Sequence, residues 1–170
     1  MSCLGWKGGI GSASRTADGH TVGVLVLANF GGERDLIVAG VPVGRHLPPS
    51  GGRASVAGSC IAVVATDAPL GSGSLERIAR RAGLGLARVG SMAYHGSGEI
   101  FVAFSTSPGG GQLDGDELND LFAATVEATE EAVVNTLWAA PDVTGREGRV
   151  ERGLPHEAVL ELLRAHRALA

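Results

Sequence analysis

The chain has 170 residues, of which 44% are hydrophobic and 4% aromatic, with 27 glycines, a formal net charge of −4 and a pI near 5.7. That length fits one domain able to bury a core, and the apolar fraction excludes a disordered chain. The acidic balance argues against a nucleic-acid binder, which needs a basic face, and no apolar run approaches the roughly 18–20 residues of a membrane span. The opening MSCLGWKGGIG has no charged block followed by an apolar one, so no export signal is read. Cys3 and Cys60 belong to no CxxC pair and are expected as reduced thiols of a soluble cytoplasmic protein.

In chain order, Gly9–Arg15 is a first possible strand. Two stronger ones follow, Thr21–Asn29 (TVGVLVLAN) and Asp35–Val43 (DLIVAGVPV). His46–Gly58 (HLPPSGGRASVAG), rich in Pro, Gly and Ser, reads as a loop that runs straight into the apolar strand Ser59–Thr66 (SCIAVVAT). A flexible tether abutting a rigid strand at Gly58–Ser59 is a good place for a backbone cut. Ser74–Val89 has the helical period, with Leu75, Ile78, Ala79, Ala82, Leu86 and Val89 on one face and four arginines mostly off it. Glu99–Ser105 (EIFVAFS) is a further strand. A second helix spans Asp116–Trp138, with Asp114 as its cap and Asp116, Glu117 and Asp120 suited to its N-terminal dipole end. Pro155 opens a last helix reaching Leu169. This order predicts an α+β fold with sheet under helices, and the near-continuous apolarity of the strands implies cover on both faces.

Common motifs contribute little. No GxxxxGK[ST] is present, so the Gly-rich Lys7–Ser12 turn is not a P-loop. The five histidines are dispersed without an HxxxH pair, which argues against zinc, and no cofactor is implied. Arg77, Arg80, Arg81 and Arg88 read as a solvated helix face.

What remains is Gly58–Ser59–Cys60, its apolar strand, and Thr66–Asp67–Ala68–Pro69–Leu70. GSCIAVVATDAPL, LERIARRAGLGLARVGS and HGSGEIFVAFST resemble the DmpA-type peptidases, the self-cleaving L-aminopeptidase/D-esterases and β-aminopeptidases. MSCLGWKGGIGSASR and VGVLVLANFG upstream, and EATEEAVVNTLWAA, VTGREG and GLPHEAVLELL downstream, carry the resemblance along essentially the whole chain. It implies a four-layer αββα sandwich of the DmpA/ornithine-acetyltransferase-like type, incomplete at the N-terminus, since such peptidases are roughly twice as long. It further implies self-cleavage at Gly58–Ser59, making 1–58 the end of an α-chain and 59–170 a β-chain. Ser59 is then the nucleophile with its freed α-amine as base, Ser97 and Glu99 lie near it, and Asn29 holds the oxyanion. The implied activity is release of N-terminal residues from small peptides, amides or esters by a homo-oligomer of cleaved units, without nucleic-acid or membrane partners. An inactive remnant and a related acyltransferase or pantetheine-amide hydrolase are the alternatives. Because neighbours in a strand face opposite ways, only one of Ser59 and Cys60 can enter the site, and Cys60 is expected to be a buried, inert thiol.

Overall fold

The computed structural model describes residues 1–51, 58–108, 113 and 115–169. A small hairpin, β1 (Ser2–Cys3) and β2 (Trp6–Lys7), leads into β3 (Ile10–Ala17) and β4 (His20–Asn29). After two short 3-10 turns come β5 (Ser59–Thr66), α1 (Ser72–Arg88), β6 (Gly98–Ser105) and α2 (Glu117–Trp138). The two-residue strands β7 (Val143–Thr144) and β8 (Val150–Glu151) pair with each other, and α3 (His156–Ala165) follows. The main sheet has the order β3-β4-β5-β6, antiparallel except for the parallel β5/β6 pair, whose strands α1 connects. A crossover helix is what a parallel pair requires.

Alternation along the strands decides which face carries the helices. Val22, Val24, Val26 and Ala28 of β4 and Cys60, Ala62 and Val64 of β5 are buried on one side. They share the core with Ile78, Ala82 and Leu86 of α1 and with Leu121, Ala128, Ala132 and Val133 of α2. Fully burying a Val, Leu or Ile side chain contributes about 1.5–3 kcal/mol, so this one layered interface dominates the fold's stability. Polar contacts set its register: Arg15 pairs with Glu127 and Glu131 of α2 at 3.2 and 2.6 Å, and Asn135 Nδ2 donates to Ser12 O at 2.9 Å.

The opposite face differs from expectation. Register lines up Ile10, Leu27, Ile61 and Ile100 in one row and Ser12, Leu25, Val63 and Val102 in the next. Ile10, Leu25, Ile61, Ile100, Val102 and Phe104 are exposed, so among the described residues the sheet is covered on one face only. The chain thus forms one helical layer on one sheet, with an apolar face of a kind usually kept for packing against another element.

The run Asp35–Val43 is not a strand. Ala39 and Gly40 take φ of 49° and 77°, and Val38 and Val41 exchange both main-chain hydrogen bonds across them, at 3.0 and 2.9 Å. This reversal, followed by Pro42, folds the segment back on itself while Leu36, Val38, Val41 and Val43 stay buried. Its apolarity reports core contact rather than strand. The last helix also stops short of the expected Leu169, at Ala165. Asp114, the Gly109–Gly111 turn and residues 52–57 of the His46–Gly58 loop lie outside the described residues.

The α1 arginines do more than meet solvent. Arg77 and Arg81 lie over the Phe122 ring at 5.1 and 3.8 Å, and Arg88 pairs with Glu130 at 2.7 Å, so they join α1 to α2. Among the described residues no helix is long and apolar enough to cross a membrane, and no group of three or more His, Cys, Asp or Glu could hold a metal ion.

Candidate active site

Ser59 opens β5, an interior strand, and is exposed on the open face. Its register partner on β4 is Asn29 and its partner on β6 is Gly98, so Asn29, Ser59 and Gly98 form one row at the end of the sheet. Directly opposed residues of an antiparallel pair have Cβ atoms about 4.5–5.5 Å apart, which puts the Asn29 carboxamide within reach of an atom bonded to Ser59 Oγ. The structure therefore brings together two residues that lie 30 positions apart in the chain.

The carbonyl before Ser59 is held from β6, and the residue that carries it is packed against the end of β4. Gly98 N–H donates to the Gly58 carbonyl oxygen at 3.2 Å, the first bond of the parallel ladder. A Cβ on Gly58 would lie 2.2 Å from Asn29 O and 2.8 Å from Phe30 Cα, so only glycine fits there. The carbonyl next to Ser59 is thus fixed in place and already accepts a hydrogen bond from a main-chain donor.

Ser97 and Glu99 flank Gly98. Ser97 Oγ donates to Glu99 Oε1 at 2.5 Å, a short bond of the charge-assisted kind. Glu99 is the register partner of Cys60, not of Ser59, so its strand position faces the helix side of the sheet. Ser97 and Glu99 thus bracket Gly98, the register partner of Ser59. The turn carrying Ser97 is braced: Ser97 N–H donates to Tyr94 O at 2.8 Å, and the Tyr94 hydroxyl donates to Asp35 Oδ2 at 3.1 Å.

Cys60 turns the other way, with 1% exposure against the exposed Ser59. Burial, with the Glu99 carboxylate adding to it, pushes its thiol up to about 12, and burial raises Cys3 as well. The folded value for Cys60 lies above the ordinary 9.0, so its contribution to stability is complete below pH 9.0 and is lost as the pH climbs toward about 12. At pH 8 the buried thiol therefore stays protonated, whereas a free cysteine is already partly ionised. Iodoacetamide at pH 8 is expected to label neither cysteine in the folded chain and both after denaturation. Labelling of the native protein at the rate of a free thiol would contradict this burial.

Reasoning from residue types missed the main-chain donors. Gly98 N–H on the Gly58 carbonyl, and Ser2 N–H on Asn29 Oδ1 at 3.0 Å, belong to positions whose side chains carry no such signal. The Asp35–Tyr94 brace joins residues 59 positions apart and likewise has no local pattern.

The α+β layer has close counterparts among solved structures. The L-aminopeptidase D-Ala-esterase/amidase of Ochrobactrum anthropi, described as a prototype for the serine aminopeptidases and a variant of the Ntn hydrolase fold, superposes with a TM-score of 0.85 at 38% identity, over 100% of this chain and 51% of its own. The PH0078 protein of Pyrococcus horikoshii OT3 gives a TM-score of 0.86 at 46% identity, over 98% of this chain and 50% of its own. These likenesses define the fold as of the Ntn hydrolase type. The profile of peptidase family S58 matches residues 1–151, and the chain belongs to that family. The β-peptidyl aminopeptidase BapA of Sphingosinicella microcystinivorans is 42% identical over an alignment of 200 residues, which takes in 100% of this chain and 50% of the relative. The chain spans about half the length of the relatives it matches.

Proposed function

We propose that this chain carries the nucleophile of a self-processing serine aminopeptidase, which cuts itself between Gly58 and Ser59 and then hydrolyses small peptides, amides or esters with a free amino terminus. The observation that carries the reading is the row Asn29–Ser59–Gly98, with Gly98 N–H on the Gly58 carbonyl. Family membership and the aminopeptidase names of the relatives support it.

Ser59 Oγ adds to the Gly58 carbonyl carbon, and the oxygen that accepts Gly98 N–H becomes the oxyanion. Collapse breaks the C–N bond, and a proton passes to the departing Ser59 nitrogen. The product is an ester of the Gly58 carboxyl on Ser59 Oγ. Water hydrolyses that ester, leaving a carboxylate on Gly58 and an α-amine on Ser59. An α-amine titrates at about 7.7–8.0, so near neutrality it can take the Ser59 hydroxyl proton during attack on a substrate. Asn29 Nδ2–H donates to the oxyanion of each tetrahedral intermediate. Ser97, whose own proton is held by Glu99, offers lone pairs to the Ser59 amine and fixes it beside the hydroxyl. Glu99 then orients the nucleophile's amine through Ser97.

Ser97→Ala removes the acceptor for the amine and should lower kcat by about 10²-fold with KM little changed, read from steady-state amidase kinetics. A rise in KM at constant kcat would assign Ser97 to substrate binding instead. The reading as a whole is tested by incubating the purified protein with amino-acid p-nitroanilides and, separately, with N-acetylornithine. Release of p-nitroaniline supports the aminopeptidase. Turnover of N-acetylornithine alone makes the chain an acyltransferase, and inertness towards both overturns the assignment of activity.

A further inference from the structure

We propose that the Ser2 main-chain N–H is the positioning group that sets the Asn29 carboxamide, so that its Nδ2 and not its Oδ1 is presented to the oxyanion; this rests on the hydrolase reading above. An asparagine side chain offers two nearly isosteric ends, one accepting and one donating. Only the donating end stabilises an oxyanion, and the accepting end would repel it. Nothing in the register of β4 with β5 chooses between them. Ser2 does, because its N–H lies 3.0 Å from Asn29 Oδ1. Rotation of the amide by half a turn would set two donors against each other, so the observed orientation is the one the hydrogen bond permits.

The element that carries Ser2 is built rigidly for its size. β1 turns into β2 at Leu4–Gly5, both with positive φ (48° and 82°), the backbone of a tight two-residue hairpin. Cys3 and Leu4 are fully buried, and Leu4 N–H donates to Phe30 O at 2.6 Å, one residue beyond Asn29. Gly8 N–H donates to Met1 O at 3.1 Å and Ser2 Oγ to Trp6 O at 3.3 Å, closing the hairpin around Ser2. The hairpin is therefore anchored in the core beside the end of β4, and one of its outward N–H groups meets the Asn29 side chain. With the accepting end occupied, Nδ2–H remains for the site.

The test uses Ser2→Pro, which deletes the N–H at a strand position, and follows the rate of self-splitting together with kcat and KM of the split enzyme. Loss of an oxyanion donor typically costs about 10²–10³ in kcat, and a donor that is present but free to flip should cost about 10-fold. Ser2→Pro is expected to slow splitting and to lower kcat by that factor with KM unchanged, and Ser2→Ala, which restores the N–H, to recover the rate. In an Asn29→Ala background Ser2→Pro should have no further effect, whereas a loss of general stability would lower the rate again. Equal rates for the wild type and Ser2→Pro, or fully additive losses in the double variant, overturn the positioning role while leaving the hydrolase reading intact. A wild-type chain that stays whole overturns the self-processing reading itself, and the role of Ser2 with it.

Discussion

Ser59→Ala should abolish both self-splitting and hydrolysis, with a loss of ~10⁴-fold or more in kcat, because removing a nucleophile takes away the intermediate rather than weakening it. The expectation rests on position. Ser59 is exposed at the end of an interior strand, beside Asn29 and Gly98 in one cross-strand row, and among the described residues no other hydroxyl or thiol shares that row. Cys60, one residue away, faces the helices as a buried thiol and cannot substitute. The alanine side chain differs by one oxygen at an exposed site, so the variant should melt within about 0.5 kcal/mol of the wild type. Ser59→Thr keeps the hydroxyl and adds a methyl group that a strand tolerates, so it should still split. An alanine variant that splits as fast as the wild type would remove Ser59 from the chemistry.

Gly90→Ala should produce the largest loss of stability, about 3 kcal/mol or more. Gly90 has φ of 104°, a conformation that costs any residue with a side chain, and a Cβ there would lie 1.8 Å from the Asp35 carbonyl oxygen. Neither the α1 end nor the Asp35 segment can yield easily, since Ile37 N–H donates to Val89 O at 3.0 Å beside the contact. For a chain of this length the melting temperature should fall by about 6–12 °C. The effect should also reach the site, because Asp35 holds Tyr94, and Tyr94 O receives the Ser97 N–H. Gly73→Ala is the control: it lies in α1 with no heavy atom within 4 Å of a Cβ, and should gain up to about 1 kcal/mol. Melting curves showing equal stability for the two variants would contradict the packing described around Gly90.

How far the sequence alone reaches depends on what kind of signal each feature leaves. The spacing predicts Ser59–Thr66 with the observed bounds, because a β-branched run between a Gly–Ser start and an Asp–Ala–Pro end has one reading. It predicts α1 and α2 within one or two residues at each end, since their apolar positions recur with the helical period over many turns. Asp35–Val43 defeats the same logic: Leu36, Val38, Val41 and Val43 are as apolar as a strand's residues, but Ala39–Gly40 and Pro42 turn the chain between them. The sheet's second face fails for a related reason. Leu25, Ile61, Ile100, Val102 and Phe104 announce that something should cover them, but hydrophobicity does not say what, or on which chain segment it lies.

The site is legible in the same uneven way. Ser59, Ser97, Glu99 and Asn29 emerge from motif resemblance, and the register sets Asn29 against Ser59. The short bond from Ser97 to Glu99 follows from their spacing, because residues i and i+2 leaving a turn can share one side of it. That Glu99 pairs with Cys60 and not with Ser59 is a matter of parallel register, which residue types cannot fix. The main-chain donors Ser2 and Gly98 leave no trace at all, because every residue but proline carries the same N–H.

The most direct test of the account is the intact mass spectrum of the freshly purified chain, taken beside Ser59→Ala. Two fragments that meet between Gly58 and Ser59 in the wild type, and a single mass in the variant, are the result the account predicts. A single uncut mass in both would contradict it, since a carbonyl held by Gly98 N–H next to an exposed Ser59 hydroxyl would then be a strand end and nothing more.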